Sequence, residues 1–117
     1  RQILLYQTIR LQRLADALHN IIMTKLLKRE PIPTIAQLAS VFNLSSATLR
    51  RRLDEEQTAI SQIKEKCRRE LAVERLRDES LTFEAIAAQL GFSDANAFRR
   101  AFKNWTGTSP SDYRKAL

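Results

Sequence analysis

The chain has 117 residues, a length that suits one domain or two small ones sharing a connecting helix. Twenty Lys and Arg against thirteen Asp and Glu leave a net charge of +7, and an apolar content of 44% excludes a disordered chain. No run approaches the roughly 18 apolar residues of a membrane span, and one Cys with one His gives neither an internal disulfide nor a protein-only zinc site.

Two Gly and three Pro among abundant Leu, Ala, Arg, Glu and Gln favour helix, and strand-type alternation is absent. The expected fold is all-α. A chain that opens at Arg1 without Met or a signal-peptide pattern reads as part of a longer, cytoplasmic protein. Residues 1–13 look helical but carry apolar residues round much of the surface, as a linker or the end of a missing upstream domain would. From Leu14 to Lys28, the residues Leu14, Leu18, Ile21, Ile22 and Leu26 form one helical stripe. Pro31 and Pro33 interrupt it. Thr34 with Gln37 is a capping box opening a short helix from Ile35 to Phe42, which ends at Asn43. Ser45 or Ser46 caps the next, through Ala47–Glu56.

A long amphipathic stretch from Ile60 to Arg77 turns Ile60, Ile63, Cys67, Leu71 and Leu76 inward. Its outer face alternates Lys, Glu and Arg at spacings that allow i,i+4 pairs. Thr82 opens another short helix ending at Gly91, and Asp94 caps a further one through Trp105 that stops at Gly107. Ser109-Pro110 starts a final turn or helix.

The chain also repeats itself. Thr34–Ser45 lies over Thr82–Ser93 at an offset of 48, and Leu49–Leu53 lies over Phe98–Phe102 at an offset of 49. Each copy has a small Ala for close helix approach (Ala39, Ala87) and a turn residue suited to positive φ (Asn43, Gly91). An apolar residue and a polar cap follow in both. This is the pattern of a helix-turn-helix. With Leu49 and Leu53, or Phe98 and Phe102, on the core face, Arg50 and Arg51, or Arg99 and Arg100, turn away from it. Paired arginines on the outer face of a second helix suit a major-groove reader, because Arg forms two hydrogen bonds to guanine. A connecting helix of about 18 residues is about 27 Å long at 1.5 Å per residue. With the width of its flanking helices it approaches the 34 Å turn of DNA, so two readers on one rod can enter successive major grooves.

The block Ile86-Ala87, Gly91-Phe92-Ser93-Asp94, Phe98, Arg100, Phe102-Lys103, Gly107, Ser109-Pro110 and Tyr113-Arg114 closely resembles the signature of AraC/XylS-family bacterial transcription regulators. Leu38-Ala39, Ser45, Leu49-Arg50-Arg51 and the Arg69–Ala72 region fit the same pattern, so the resemblance covers about residues 14–117. It implies seven helices in two helix-turn-helix subdomains, each a homeodomain-like three-helix unit. On this reading 1–13 is a linker, 14–58 the first subdomain, 59–78 the linker helix and 79–117 the second subdomain. The family usually carries an upstream effector-binding or dimerisation domain. Implied partners are double-stranded promoter DNA and RNA polymerase. The residues offer no metal set, no nucleophile constellation and no phosphate-cradling Gly loop, so no cofactor, no enzymatic activity and no membrane contact are expected. Two positions depart from the pattern: Asn43 replaces the usual Gly of the first turn, and Gln57 stands where a Gly usually follows the first recognition helix.

The recognition helices are expected over about 46–56 and 95–105. Arg50 and Arg51 divide base and phosphate contact between them, while Ser46 and Ala47 touch thymine methyls or backbone. Asn96, Arg99 and Arg100 form the groove-facing set of the second head, Asn suiting adenine and Arg guanine. Arg52 and Lys103 are placed at the backbone, Arg52 also covering Leu49 with its stem. Thr34 and Thr82 stand at helix starts where amides can hold a phosphate, although plain capping needs no DNA. Trp105, Cys67 and His19 read as structural. Two other classes compete: a DNA-tethering domain of a modification or repair protein, with Cys67 its sole candidate acceptor thiol, and a dimerisation module using residues 1–28.

Overall fold

The punctuation of the sequence becomes capping in three dimensions. A computed structural model describes residues 13–117, so the linker expected over 1–13 lies outside the described residues except for Arg13. Among the described residues all regular structure is helical. The helices are α1 (Leu14–Leu27), α2 (Ile35–Val41), α3 (Ser46–Glu55), α4 (Ile60–Leu76), α5 (Phe83–Leu90), α6 (Ala95–Thr106) and α7 (Pro110–Lys115). None is long and apolar enough to cross a membrane.

Five helices start on a side-chain oxygen that accepts a first-turn amide: Thr34, Ser45, Thr82, Asp94 and Ser109. Thr34 and Gln37 close the full capping box, and Ser45 rather than Ser46 caps α3. The α1 amides have no local cap. Leu14 N and Ala15 N instead donate to the two carboxylate oxygens of Glu56, at 3.0 and 2.9 Å, from the far end of α3.

Four helices end in Schellman turns, each with a 6→1 and a 5→2 hydrogen bond around a left-handed residue. Those residues are Arg29, Asn43, Gln57 and Gly91, at φ 58°, 56°, 61° and 85°. Arg29 and Gln57 are the costly ones. They take a conformation that Gly adopts freely and that costs other L-residues about 1–2 kcal/mol. The departure from Gly at position 57 thus puts strain at the exit of the first recognition helix, whereas its counterpart Gly107 (φ 77°) ends α6 without it.

The connecting helix is not a strut standing in solvent. Ile63, Cys67, Leu71, Ala72 and Leu76 of α4 join Leu18, Ile22, Leu26, Leu38, Leu49 and Leu53 on one side and Ile86, Leu90, Phe98 and Phe102 on the other in one continuous core. Ile60 is only half-buried, and Phe92 and Trp105 pack against the core from its edge. At 17 residues α4 is about 26 Å long. The i,i+4 ion pairs expected on its outer face are absent among the described residues. Tertiary partners have taken three of those side chains. Glu70 pairs with His19 of α1 at 2.8 Å, Arg68 donates to the Leu90 carbonyl at 3.1 Å, and Arg75 donates to the Gln89 side chain at 3.1 Å. The same helix thereby grips α1 by one edge and α5 by another, and α1 itself also packs against α5.

Candidate nucleic-acid interface

In the first helix-turn-helix, Leu38 and Ala39 are buried against α3, and the Leu44 amide reaches back to the Ala39 carbonyl at 3.0 Å. That bond fixes the angle at which α3 leaves the turn. Leu49 and Leu53 are fully buried, so the remaining faces of α3 are set by the helical period. Ala47, Arg50, Arg51 and Arg52 are exposed and Ser46 is half-buried. The second motif copies this construction. Ile86 and Ala87 are buried, Phe92 N donates to the Ala87 carbonyl at 2.9 Å, and Asp94 receives the Ala97 amide at 2.7 Å. Phe98 and Phe102 are fully buried, while Asn96, Arg99, Arg100 and Lys103 are exposed.

Among the described residues, none of these arginines nor Lys103 takes part in an ion pair, so their charge stays available to a polyanion. The Thr34 and Thr82 hydroxyls both accept an amide of their own helix, which satisfies the capping role. Trp105 packs near Phe92 and Phe102, with ring centroids 6.0 and 6.3 Å away, as a structural residue would.

The heads are not equivalent. Arg99 donates through Nη1 to Asn96 Oδ1 at 3.0 Å, and its guanidinium lies over the Phe83 ring. The matching Arg50 has no hydrogen bond among the described residues and lines a cleft of about 450 Å³ with Ile35, Asp54, Ile60 and Lys64. Asp54 stands where the second head has Lys103, which makes the first recognition helix less basic along that edge. Reading the arginines alone missed this, although the offset of 49 displays it. Phe83 and Arg114 were likewise missed. Phe83 lies over Ile35 in the block at an offset of 48, and Arg114 lies over Lys64 where the repeat continues at an offset of 50.

Away from the helices, the α4–α5 joint is tied by Asp78. Its carboxylate accepts from the Ser80 hydroxyl at 2.6 Å and the Ser80 amide at 3.0 Å, which hold its pKa below the usual range. Cys67 is wholly buried and directs its Sγ at the His19 carbonyl, 3.5 Å away. Burial, helped by the Glu70 charge, pushes its pKa up to about 11, so near neutrality it is a buried thiol and not a nucleophilic thiolate.

A family model described as a helix-turn-helix domain, of AraC type, matches residues 38–116. The chain belongs to the AraC-type family of helix-turn-helix DNA-binding domains. It is 42% identical over 84 residues to the ornithine utilization regulator of Pseudomonas aeruginosa, a match spanning 72% of this chain and 25% of that protein. The solved structure of the transcriptional regulator CdpR from Pseudomonas aeruginosa is similar at a TM-score of 0.70 and 38% identity, over 79% of this chain and 29% of that one. The DNA-binding domain of AdpA, solved in complex with a target DNA, is similar at a TM-score of 0.68 and 25% identity, over 85% of this chain and 90% of that one. The chain thus spans about a quarter of the length of the curated relatives it matches. These relatives are regulators, and the repair-protein alternative is not favoured.

Proposed function

We propose that this chain is the part of a bacterial transcription regulator that reads a promoter. On this reading α3 and α6 enter successive major grooves on one face of double-stranded DNA. The units doing so are a first head over 14–58, the linker helix over 59–78 and a second head over 79–117. One observation carries the proposal: the inner faces of both recognition helices are buried in a single core that runs through α4. The heads are then presented as one body, and the 47 Å long axis of the molecule accommodates two readers about 34 Å apart. The DNA-bound structure of a similar domain, that of AdpA, supports the class of ligand.

Within that reading Arg50, Arg51, Asn96, Arg99 and Arg100 meet base edges, with Ser46 and Ala47 beside them. Thr34, Arg52, Thr82 and Lys103 meet the backbone. RNA polymerase and an upstream effector-binding or dimerisation domain are the protein partners, and the cytoplasm is the compartment. The test is binding to duplex DNA across a salt series. Affinity should fall steeply as salt rises, because each neutralised phosphate releases counterions. Arg100→Ala should cost about 1–3 kcal/mol and relax preference at one base pair. A flat salt response, or an Arg100 variant that binds and discriminates like the parent, would refute the docking.

A further inference from the structure

We propose that Phe83 is a positioning residue of the second head, holding Arg99 in one orientation so that its free edge is presented to guanine. The inference rests on the reading that Arg99 meets DNA. Phe83 is the first residue of α5, half-buried beneath the recognition helix. The Arg99 Cζ lies 5.6 Å from the centre of its ring and the Arg114 Cζ 4.9 Å. Arg114 cannot yield, because its Nε donates to the Leu76 carbonyl at 3.0 Å and its Nη2 to the Asp78 carbonyl at 3.1 Å. The ring is thus seated at the joint between α4 and α5, on a guanidinium already fixed to the backbone.

Arg99 is held twice. Its Cζ sits over the ring, and Asn96 Oδ1 accepts one Nη1 hydrogen at 3.0 Å. Of the five N–H donors of a guanidinium, one is spent and the others remain for an acceptor. Because Asn96 has committed its acceptor oxygen to Arg99, the pair offers mainly donors to the groove. Guanine presents two acceptors there, O6 and N7, whereas adenine presents one acceptor and one donor. Freezing a long flexible side chain before binding also lowers the ordering cost paid on contact.

The repeat supplies an internal comparison. At the corresponding places the first head has Arg50, Ile35 and Ala47 for Arg99, Phe83 and Asn96, and the linker helix supplies Lys64 for Arg114. Ile35 has no aromatic face and Ala47 no acceptor, so nothing equivalent holds Arg50. The structure therefore assigns sharp base preference to the second head and broader preference to the first.

The experiment combines duplex binding with side-chain NMR on the full chain. Phe83→Leu keeps an apolar side chain, Phe83→Tyr restores the ring, and Arg99→Ala removes the side chain that is held. Arg99→Ala should weaken binding to the preferred duplex by about 5- to 150-fold. Phe83→Leu should weaken it by about two- to fivefold and lower discrimination at the same base pair, with Phe83→Tyr returning both. In the Arg99→Ala background Phe83→Leu should add nothing. Phe83→Leu binding and discriminating like the parent, or losing affinity equally in both backgrounds, overturns the proposal. An Arg99→Ala variant that binds normally instead removes the contact on which it rests. Independently of any variant's folding, the Arg99 side-chain protons of the free parent should show a ring-current shift, and its absence also overturns the proposal.

Discussion

Replacing Glu56 with Ala removes the cap of α1 from a distance of more than forty residues along the chain. The Glu56 carboxylate accepts Leu14 N at 3.0 Å and Ala15 N at 2.9 Å, and Arg13 approaches it at 3.5 Å while donating to the Glu56 carbonyl at 2.8 Å. The Arg13 ion pair contributes little, since its side chain is 57% exposed and water screens it. The two amide bonds matter more. A lost N-cap costs about 0.5–2 kcal/mol, and a carboxylate at a helix N-terminus also meets the positive end of the macrodipole. Glu56 is 21% exposed, so part of the benefit is retained by water and the expected loss is about 1–2 kcal/mol. For a domain of this size that lowers Tm by about 5–10 °C. Glu56→Gln keeps one acceptor and should lose about half as much. Thermal and urea unfolding followed by circular dichroism measure both variants. A Glu56→Ala variant within about 0.3 kcal/mol of the parent would mean that water caps α1 equally well, and that the α3 exit is not clipped to α1.

Three further outcomes are expected. Gln57→Gly should raise stability by about 0.5–1 kcal/mol, the relief of left-handed strain exceeding the entropy that Gly adds to the unfolded chain; a lower urea midpoint would contradict the backbone conformation at Gln57. Stability should decline with rising pH between about 9 and 11, because the unfolded Cys67 thiol ionises in that range while the folded one, with its pKa pushed up to about 11, does not. Below that window the contribution is fully present, and Cys67→Ala should flatten the decline by up to about 3 kcal/mol; parallel pH profiles for parent and variant would exclude Cys67 as its source. Native Cys67 should also resist a maleimide or aromatic disulfide reagent until the domain unfolds, and rapid labelling of the folded protein would contradict its burial.

The helices were legible to within about a residue at each end, because their limits are local chemistry. Thr34, Ser45, Thr82, Asp94 and Ser109 each cap in place, Asn43 and Gly91 turn the chain at the positive φ expected of them, and Gly107 ends its helix. The exposed arginines followed from the buried leucines and phenylalanines four apart. What the sequence hid is long-range pairing. Nothing near Leu14 announces that Glu56 will cap it, and the charges of α4 looked ready for each other until α1 and α5 claimed Glu70, Arg68 and Arg75. The asymmetry of the heads lay in the aligned repeat, in Asp54 against Lys103 and Ile35 against Phe83, but what Phe83 does there needed its neighbours in space.

If one core fixes two reading helices at the spacing of neighbouring major grooves, binding sites selected from random duplexes with the full chain, and then sequenced, will carry that spacing. Two half-motifs are expected, their centres about 10–10.5 base pairs apart at constant spacing, the one read by α6 being guanine-containing and the sharper of the two. Recovery of a single half-motif, or of two at freely varying spacing, would contradict that geometry.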